Sequence, residues 1–219
     1  MDAILRKVPA GFDDFVTEKY QDQIEAIFRE WTSQLLKSPQ DVEALGRVVA
    51  TSFLGSSLKP SQERTVNESP FMKAWKVEYP AEVTLGGKAF LAELQSSLAT
   101  FSGLISAEFQ VIRVRVEAGS ADLRTQSIPL TTTVRFEIVG SGSGFHREQR
   151  VGHWELQWEK LPAREMRVLK WRTLDEERSR SSVPAFRDLT SHAFGRNPSY
   201  AAQMIPGIDY WRTVLDGAS

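Results

Sequence analysis

A chain of 219 residues, 41% apolar and 25% charged, has the composition of an ordinary globular protein; at that length folding removes roughly 70% of the unfolded surface from water, so no staple is required. The absence of cysteine excludes disulfides, thiolate catalysis and zinc-thiolate sites, and 27 Lys plus Arg against 28 Asp plus Glu leave no overall field to concentrate nucleic acid or anionic lipid. No apolar run reaches the ~18 to 20 residues of a membrane crossing, so the chain reads as soluble, with no membrane or nucleic-acid partner; an excised piece of an exported, periplasmic or extracellular precursor would read the same way.

From Phe12 to Leu36 the residues Phe12, Val16, Tyr20, Ile24, Ile27, Phe28, Trp31 and Leu35 recur at steps of three and four, one stripe of a long helix, with Asp13 and Asp14 favouring its N-terminus. Ser38-Pro39-Gln40-Asp41 offers an N-cap hydroxyl and a proline at the first helical position. A second helix is therefore expected from Ser38, burying Val42, Leu45, Val48 and Val49. Phe53 to Ser69 loses periodicity and collects Gly, Ser, Pro and Asn, which predicts a loop leading to a short strand at Met72 to Val77. A third helix is expected after Gly86-Gly87, with Phe90, Leu91, Leu94, Leu98 and Phe101 on one side and its stop at Gly103.

After Gly103 the hydrophobic period changes from helical to alternating. Ala107 to Glu117, Ile128 to Val139, His146 to Glu159 and Arg164 to Thr173 read as strands of an antiparallel meander. Ile128, Leu130, Thr132, Val134, Phe136 and Ile138 share one face of the second; Trp154, Leu156 and Trp158 share one face of the third. The first breaks its alternation, because Phe109 and Val111 oppose Ile112, Val114 and Val116, and a bulge near Val111 would reconcile them. Helices first and long strands after predict an α+β fold, three N-terminal helices packed on a bent antiparallel sheet. Residues 1 to 175 form that domain. Residues 176 to 219 read as a C-terminal extension that begins with a solvated connector, Glu176 to Ser182, and continues in short helices, partly docked on the domain.

Two resemblances follow from these features. The order of elements from Phe12 to Thr173 resembles the cone-shaped, cystatin-like fold of nuclear transport factor 2-like domains, the superfamily that includes ketosteroid isomerase, scytalone dehydratase and SnoaL-like cyclases. The words Gly-Phe-His-Arg-Glu-Gln-Arg-Val-Gly at 144 to 152, Asn-Pro-Ser-Tyr at 197 to 200 and Asp-Tyr-Trp-Arg-Thr-Val-Leu-Asp-Gly-Ala-Ser at 209 to 219 resemble the leading region of bacterial FG-GAP repeat proteins of the ASPIC/UnbV type. That likeness implies a leading domain whose calcium-binding β-propeller is absent from this sequence. It brings no catalytic residue with it, and the first likeness implies a homodimer through the outer face of the sheet.

The hollow between helices and sheet is the expected pocket, and a small apolar molecule its expected ligand. By alternation Thr132, Glu148 and Arg150 point the same way as Phe136 and Trp154, while Tyr20 interrupts the apolar stripe of the first helix. Tyr20, Thr132, Glu148, Arg150 and Trp154 are therefore the candidate ligand-binding residues. In the competing reading Glu148 and Arg150 lie at the sheet's edge in water and Tyr20 caps the core. Ketosteroid isomerase-type chemistry needs a carboxylate base and a donor pair, roles onto which only Tyr20 and Glu148 could be forced. Trp31, Trp75, Trp154, Trp158 and Trp171 sit at apolar phases and read as core.

His146 and His153 are seven apart, on opposite faces of one strand, so no metal site is expected; nor is a cofactor. Gly140-Ser141-Gly142-Ser143-Gly144 lies between two strands and reads as a hairpin tip instead of a phosphate loop or a nucleophile elbow. The expected function is a non-catalytic binding or assembly module leading a larger FG-GAP-type protein. The alternative is a small isomerase, dehydratase or cyclase acting on an apolar carbonyl compound.

Overall fold

The amphipathic stripe of the first helix is buried as its spacing requires. In a computed structural model that describes residues 16–116, 129–160, 166–184, 186, 188–207 and 210, helix α1 spans Val16–Leu35, and Tyr20, Ile24, Phe28, Trp31 and Leu35 all lie in the core. The expected start at Phe12, with Asp13 and Asp14, lies outside the described residues. Helix α2 is shorter than its capping signal suggested, Glu43–Val48. The Asp41 N–H donates to the Ser38 carbonyl (3.0 Å), and the Asp41 carboxylate accepts the Glu43 N–H (2.8 Å), so Ser38 opens a turn and Asp41 ends it.

Strand β1 (Val49–Ser56) begins at Val49, a residue expected in the second helix, and with β2 (Gln62–Glu68) takes up much of Phe53 to Ser69, the stretch expected to be a loop. Strand β3 (Met72–Glu78) pairs antiparallel with β2; β4 (Val83–Gly86) pairs with β1 and runs into helix α3 (Gly87–Leu98). That helix stops five residues before Gly103, which instead opens the first of four long strands. These are β5 (Gly103–Val116), β6 (Pro129–Gly142), β7 (Phe145–Lys160) and β8 (Met166–Ser181). The sheet runs β2-β3-β8-β7-β6-β5, with β1 lying parallel beside the first half of β8. The architecture is α+β, with helices packed on a largely antiparallel sheet, as the change of period required.

Bulges set which residues face the helices. In β5, Val111 pairs with Val134 and Arg113 with Thr133, leaving Ile112 as the extra, half-exposed residue. Val114 and Val116 thereby rejoin the inner face beside Phe109 and Val111, the bulge that the alternation demanded. Two more bulges interrupt β8: opposite Gln157/Trp158 the extra residue is Leu169, and opposite His153/Trp154 it is Leu174. Each moves the inward phase by one, so Met166 and Val168, then Trp171 and Thr173, then Glu176 turn to the core. The polar run expected to be a connector from Glu176 is therefore strand as far as Ser181. It pairs with β3 on one side and β7 on the other, and crosses the expected boundary at 175/176.

The core is an aromatic column. Trp31 stacks on Phe109 (4.5 Å between centroids), Phe109 on Trp154 (5.5 Å) and Trp154 on Phe136 (4.2 Å), with Trp171 set edge-on to Trp154 at 4.8 Å. Such contacts add to the area each ring buries. The chain divides into two compact units, 1–183 and 184–219. In the second, α4 (Thr190–Phe194) and a π-helical turn (Tyr200–Met204) are the described elements, and none of its described residues is buried. Of the Asp209 to Ser219 word only Tyr210 lies within the described residues. Among the described residues no helix is long and apolar enough to cross a membrane.

Candidate functional site

Strand pairing arranges the polar residues of the inner face as a grid. Lys73, Arg180, Glu148 and Gly140 stand in one row across β3, β8, β7 and β6, and Trp75, Arg178, Arg150 and Ile138 in the next. Val77, Glu176, Gly152 and Phe136 form the third. Paired residues share a face, so charged groups are concentrated at one end of a surface that is otherwise apolar.

Glu148, with no exposed surface, accepts from Arg150 Nε (2.7 Å) and from Arg180 Nε (2.6 Å). Arg150 is also buried. Its remaining N–H groups donate to Ser97 Oγ (2.9 Å) and Thr100 Oγ1 (2.7 Å) at the end of α3, and its guanidinium lies 4.7 Å from the Phe101 ring centre. Next to this pair, Arg178 bonds Glu176 and donates to the Tyr79 hydroxyl (2.7 Å), which itself donates to Glu176 (2.8 Å). Burial and the Glu176 carboxylate push the Tyr79 phenol well above its ordinary value, against the opposing effect of Arg178. Burial, the largest single influence, acts to lower Arg178, but the charges of Glu176, Tyr79 and Glu148 and the Glu176 hydrogen bond together outweigh it and raise the guanidinium above its ordinary value.

The five candidate residues do not converge. Glu148 and Arg150 meet, buried, at the charged end, which corrects the reading that placed them at an edge in water. Thr132 lies eight register steps away, opposite Leu156, and its hydroxyl accepts the Trp158 indole N–H (2.9 Å). Trp154 is held in the aromatic column. Tyr20 is fully buried, with the Lys160 ammonium 5.1 Å from its ring centre. Lys160 is twelve residues along β7 from Glu148, roughly 40 Å of extended strand. Tyr20 and Glu148 therefore form no catalytic pair.

Among the described residues, Tyr20 Oη, Gln23 Oε1, Trp75 Nε1, Trp171 Nε1 and Thr173 Oγ1 are buried without a hydrogen-bond partner. Burial pushes the Tyr20 phenol up. Four of the five tryptophans read as core are buried, and Trp75 is half-buried. No described group of three or more His, Asp or Glu side chains has metal-binding geometry.

Charge chemistry missed in the sequence is carried by Glu176, Arg178, Arg180 and Tyr79. Their signal was the alternation of Glu176, Arg178 and Arg180, hidden by the phase change at Leu174. The hairpin tip is observed: Gly142 pairs with Phe145, and Gly144 takes φ +84°, a conformation that suits glycine. The outer face carries a ladder of polar pairs. Arg135 meets Glu137 (2.7 Å), Gln149 donates to Glu137 (2.7 Å), His153 meets Asp175 (2.9 Å) and Arg172 donates to Glu155 (2.9 Å).

No family model and no curated protein matches the chain. Among solved structures, it is similar to a conserved protein of Planctomyces limnophilus (13% identity, TM-score 0.41, covering 70% of this chain and 93% of that one). It is similar to the Kfla4162 protein of Kribbella flavida (15%, 0.42, 73% and 92%). A third is a Streptomyces avermitilis protein of the NTF2-like family, named as a candidate dehydratase (11%, 0.40, 72% and 96%). At these scores the fold class stands on the chain's own pairing and packing.

Proposed function

We propose that the chain is a non-catalytic binding and assembly module of nuclear transport factor 2-like architecture, leading a larger protein of the FG-GAP type. One observation carries the non-catalytic part: the buried charged groups of the inner face, Glu148 with Arg150 and Glu176 with Arg178, are paired with one another. Glu148, the only carboxylate that the sequence offered as a base, lies between Arg150 and Arg180 and accepts charge-assisted hydrogen bonds from both. Both of its oxygens accept from guanidinium groups, and none of its surface is exposed. A general base needs a free lone pair within reach of the proton it removes.

Assembly is supported by the outer sheet face. Thr131, Thr133, Arg135, Glu137, Val151, His153 and Gln157 are all half-buried and lysine-free, a surface suited to a polar two-fold contact between copies. The words at 144 to 152, 197 to 200 and 209 to 219 support the place ahead of a propeller. A second reading, a small isomerase, dehydratase or cyclase, is favoured by the buried, unpartnered Tyr20 hydroxyl, a donor of the type that holds an enolate.

Deuterium uptake separates the two readings. Enolisable ketones incubated with the chain in heavy water should show no proton exchange above buffer by NMR. Exchange that Tyr20→Phe abolishes would establish the enzyme instead. Sedimentation should return twice the chain mass, and a single-chain mass would remove the outer-face dimer.

A further inference from the structure

Where the charged grid reaches the surface it opens into a groove of about 210 Å³, between the β2–β3 turn and the β6–β7 turn, lined by Phe71, Lys73, Trp75, Phe145 and Arg180 among others. Arg180 is unlike the other inner-face arginines. Its side chain is 41% exposed, and its Nε and one terminal nitrogen are engaged by Glu148. Its other terminal nitrogen makes no hydrogen bond among the described residues. The guanidinium is held in place by two rings, 4.6 Å from the Phe145 centre and 5.6 Å from that of Trp75. Two or more N–H donors on a guanidinium so fixed are a preformed carboxylate fork.

Lys73 is the register partner of Arg180 across β3 and β8. Like charges directly opposite one another destabilise a sheet, and Glu148, shared between Arg180 and Arg150, offsets these cations only in part. Glu68 approaches Lys73 only at 3.8 Å, with both side chains about half or more exposed, an ion pair of small effect. An anion between Lys73 and Arg180 would remove the repulsion. Apolar side chains, Phe71, Met72 and Phe145 among them, line much of the rest of the groove beside Ser69 and Ser182, and Phe71 is 61% exposed.

We propose that this groove binds a small free aryl carboxylate, its anionic end on Arg180 and Lys73 and its ring against Phe145 and Phe71. The volume suits an acid of about ten non-hydrogen atoms and is well below the several hundred Å³ of a drug-sized pocket. The inference deepens the binding-module reading above and rests on it for the absence of turnover, while its geometry is independent of that reading.

The test uses the whole chain with phenylacetate as probe, followed by calorimetry and by the indole N–H resonance of Trp75, assigned by its loss in Trp75→Phe. A dissociation constant of about 1 mM or tighter is expected, what ten atoms reach at modest efficiency, with the Trp75 signal shifting as it saturates. Phenylacetamide and phenethylammonium should leave that signal in place. Arg180→Lys should weaken binding about tenfold through loss of the planar fork. The changes Lys73→Gln and Phe71→Ser, at side chains 49% and 61% exposed, should each weaken it about threefold or more. If Arg180→Lys fails to fold, those two variants decide.

No shift by phenylacetate, equal binding of the amide, equal binding of inorganic phosphate, or indifference to Lys73→Gln and Phe71→Ser would each overturn the proposal. Phenylacetate recovered unchanged keeps the binding-module reading. Its conversion would sink that reading while leaving the site in place.

Discussion

Glu148 and Arg180 are partners in one ion pair, yet removing either has a different consequence. Taking away Glu148 leaves Arg150 buried with its charge uncompensated, since Ser97 and Thr100 supply dipoles and no charge. Breaking a buried pair from one side costs about 3–5 kcal/mol, so Glu148→Ala should lower the unfolding free energy by that much in urea titration. Arg180→Gln leaves Glu148 paired with Arg150 and removes a side chain 41% exposed, and should cost about 1 kcal/mol or less. Equal losses would show that Arg150 does not hold Glu148 by itself.

Tyr79 tests the neighbouring triad through pH. Its phenol is raised above the ordinary 10.0 by burial and by Glu176, so between the unfolded and folded values the native state binds the extra proton. Stability from this group is then complete below about pH 10 and falls as pH rises beyond it. Tyr79→Phe should flatten that alkaline decline, leaving the smaller contribution of the buried Tyr20 with the same sign. An unchanged slope between pH 10 and 11.5 would mean that Tyr79 ionises as freely folded as unfolded.

Among the elements, β8 depends on its bulges. The Leu174 bulge brings the Asp175 carbonyl over Gly152, so a Cβ there would run into that oxygen and come within 2.9 Å of the Phe136 ring. A backbone oxygen cannot turn aside. Gly152→Ala should therefore cost about 1–3 kcal/mol, the range of overpacking, and shift the denaturation midpoint with little change in slope; a neutral result would mean that the strands separate easily at this point. The same bulges mark the limit of what the sequence disclosed. Strands β6 and β7 were legible because their alternation is unbroken, and it placed Thr132, Glu148, Arg150 and Trp154 on the inner face. Beyond Leu174 the phase slips by one, so Glu176, Arg178 and Arg180 read as a mixed-sign solvated run while in fact lining the site. Strand β2 left no apolar periodicity, since Val66 is its single apolar residue and every residue from Gln62 to Glu68 is exposed; only its pairing with β3 makes it a strand. Ser38 misled for a different reason: an N-cap signature is local, and Asp41 offered a competing turn two residues before the helix.

For the whole molecule, the distribution of buried residues decides what is needed to fold. The buried apolar residues run from Tyr20 to Trp171, the last strand ends at Ser181, and the described residues of 184–219 include large side chains in water, Phe186 at 94% exposure and Ile205 at 64%. Hydrophobic burial dominates stability, so the described residues of 184–219, none of them buried, contribute little to it. A chain ended at Val183 should unfold in one cooperative transition, its stability within about 0.5 kcal/mol of the full chain, the range typical of surface changes. It should also keep the Trp75 response to phenylacetate, because every residue assigned to that groove precedes Val183. A broadened transition, or a loss well beyond that range, would show that residues 184–219 complete the fold, and the groove would then have to be studied only in their presence.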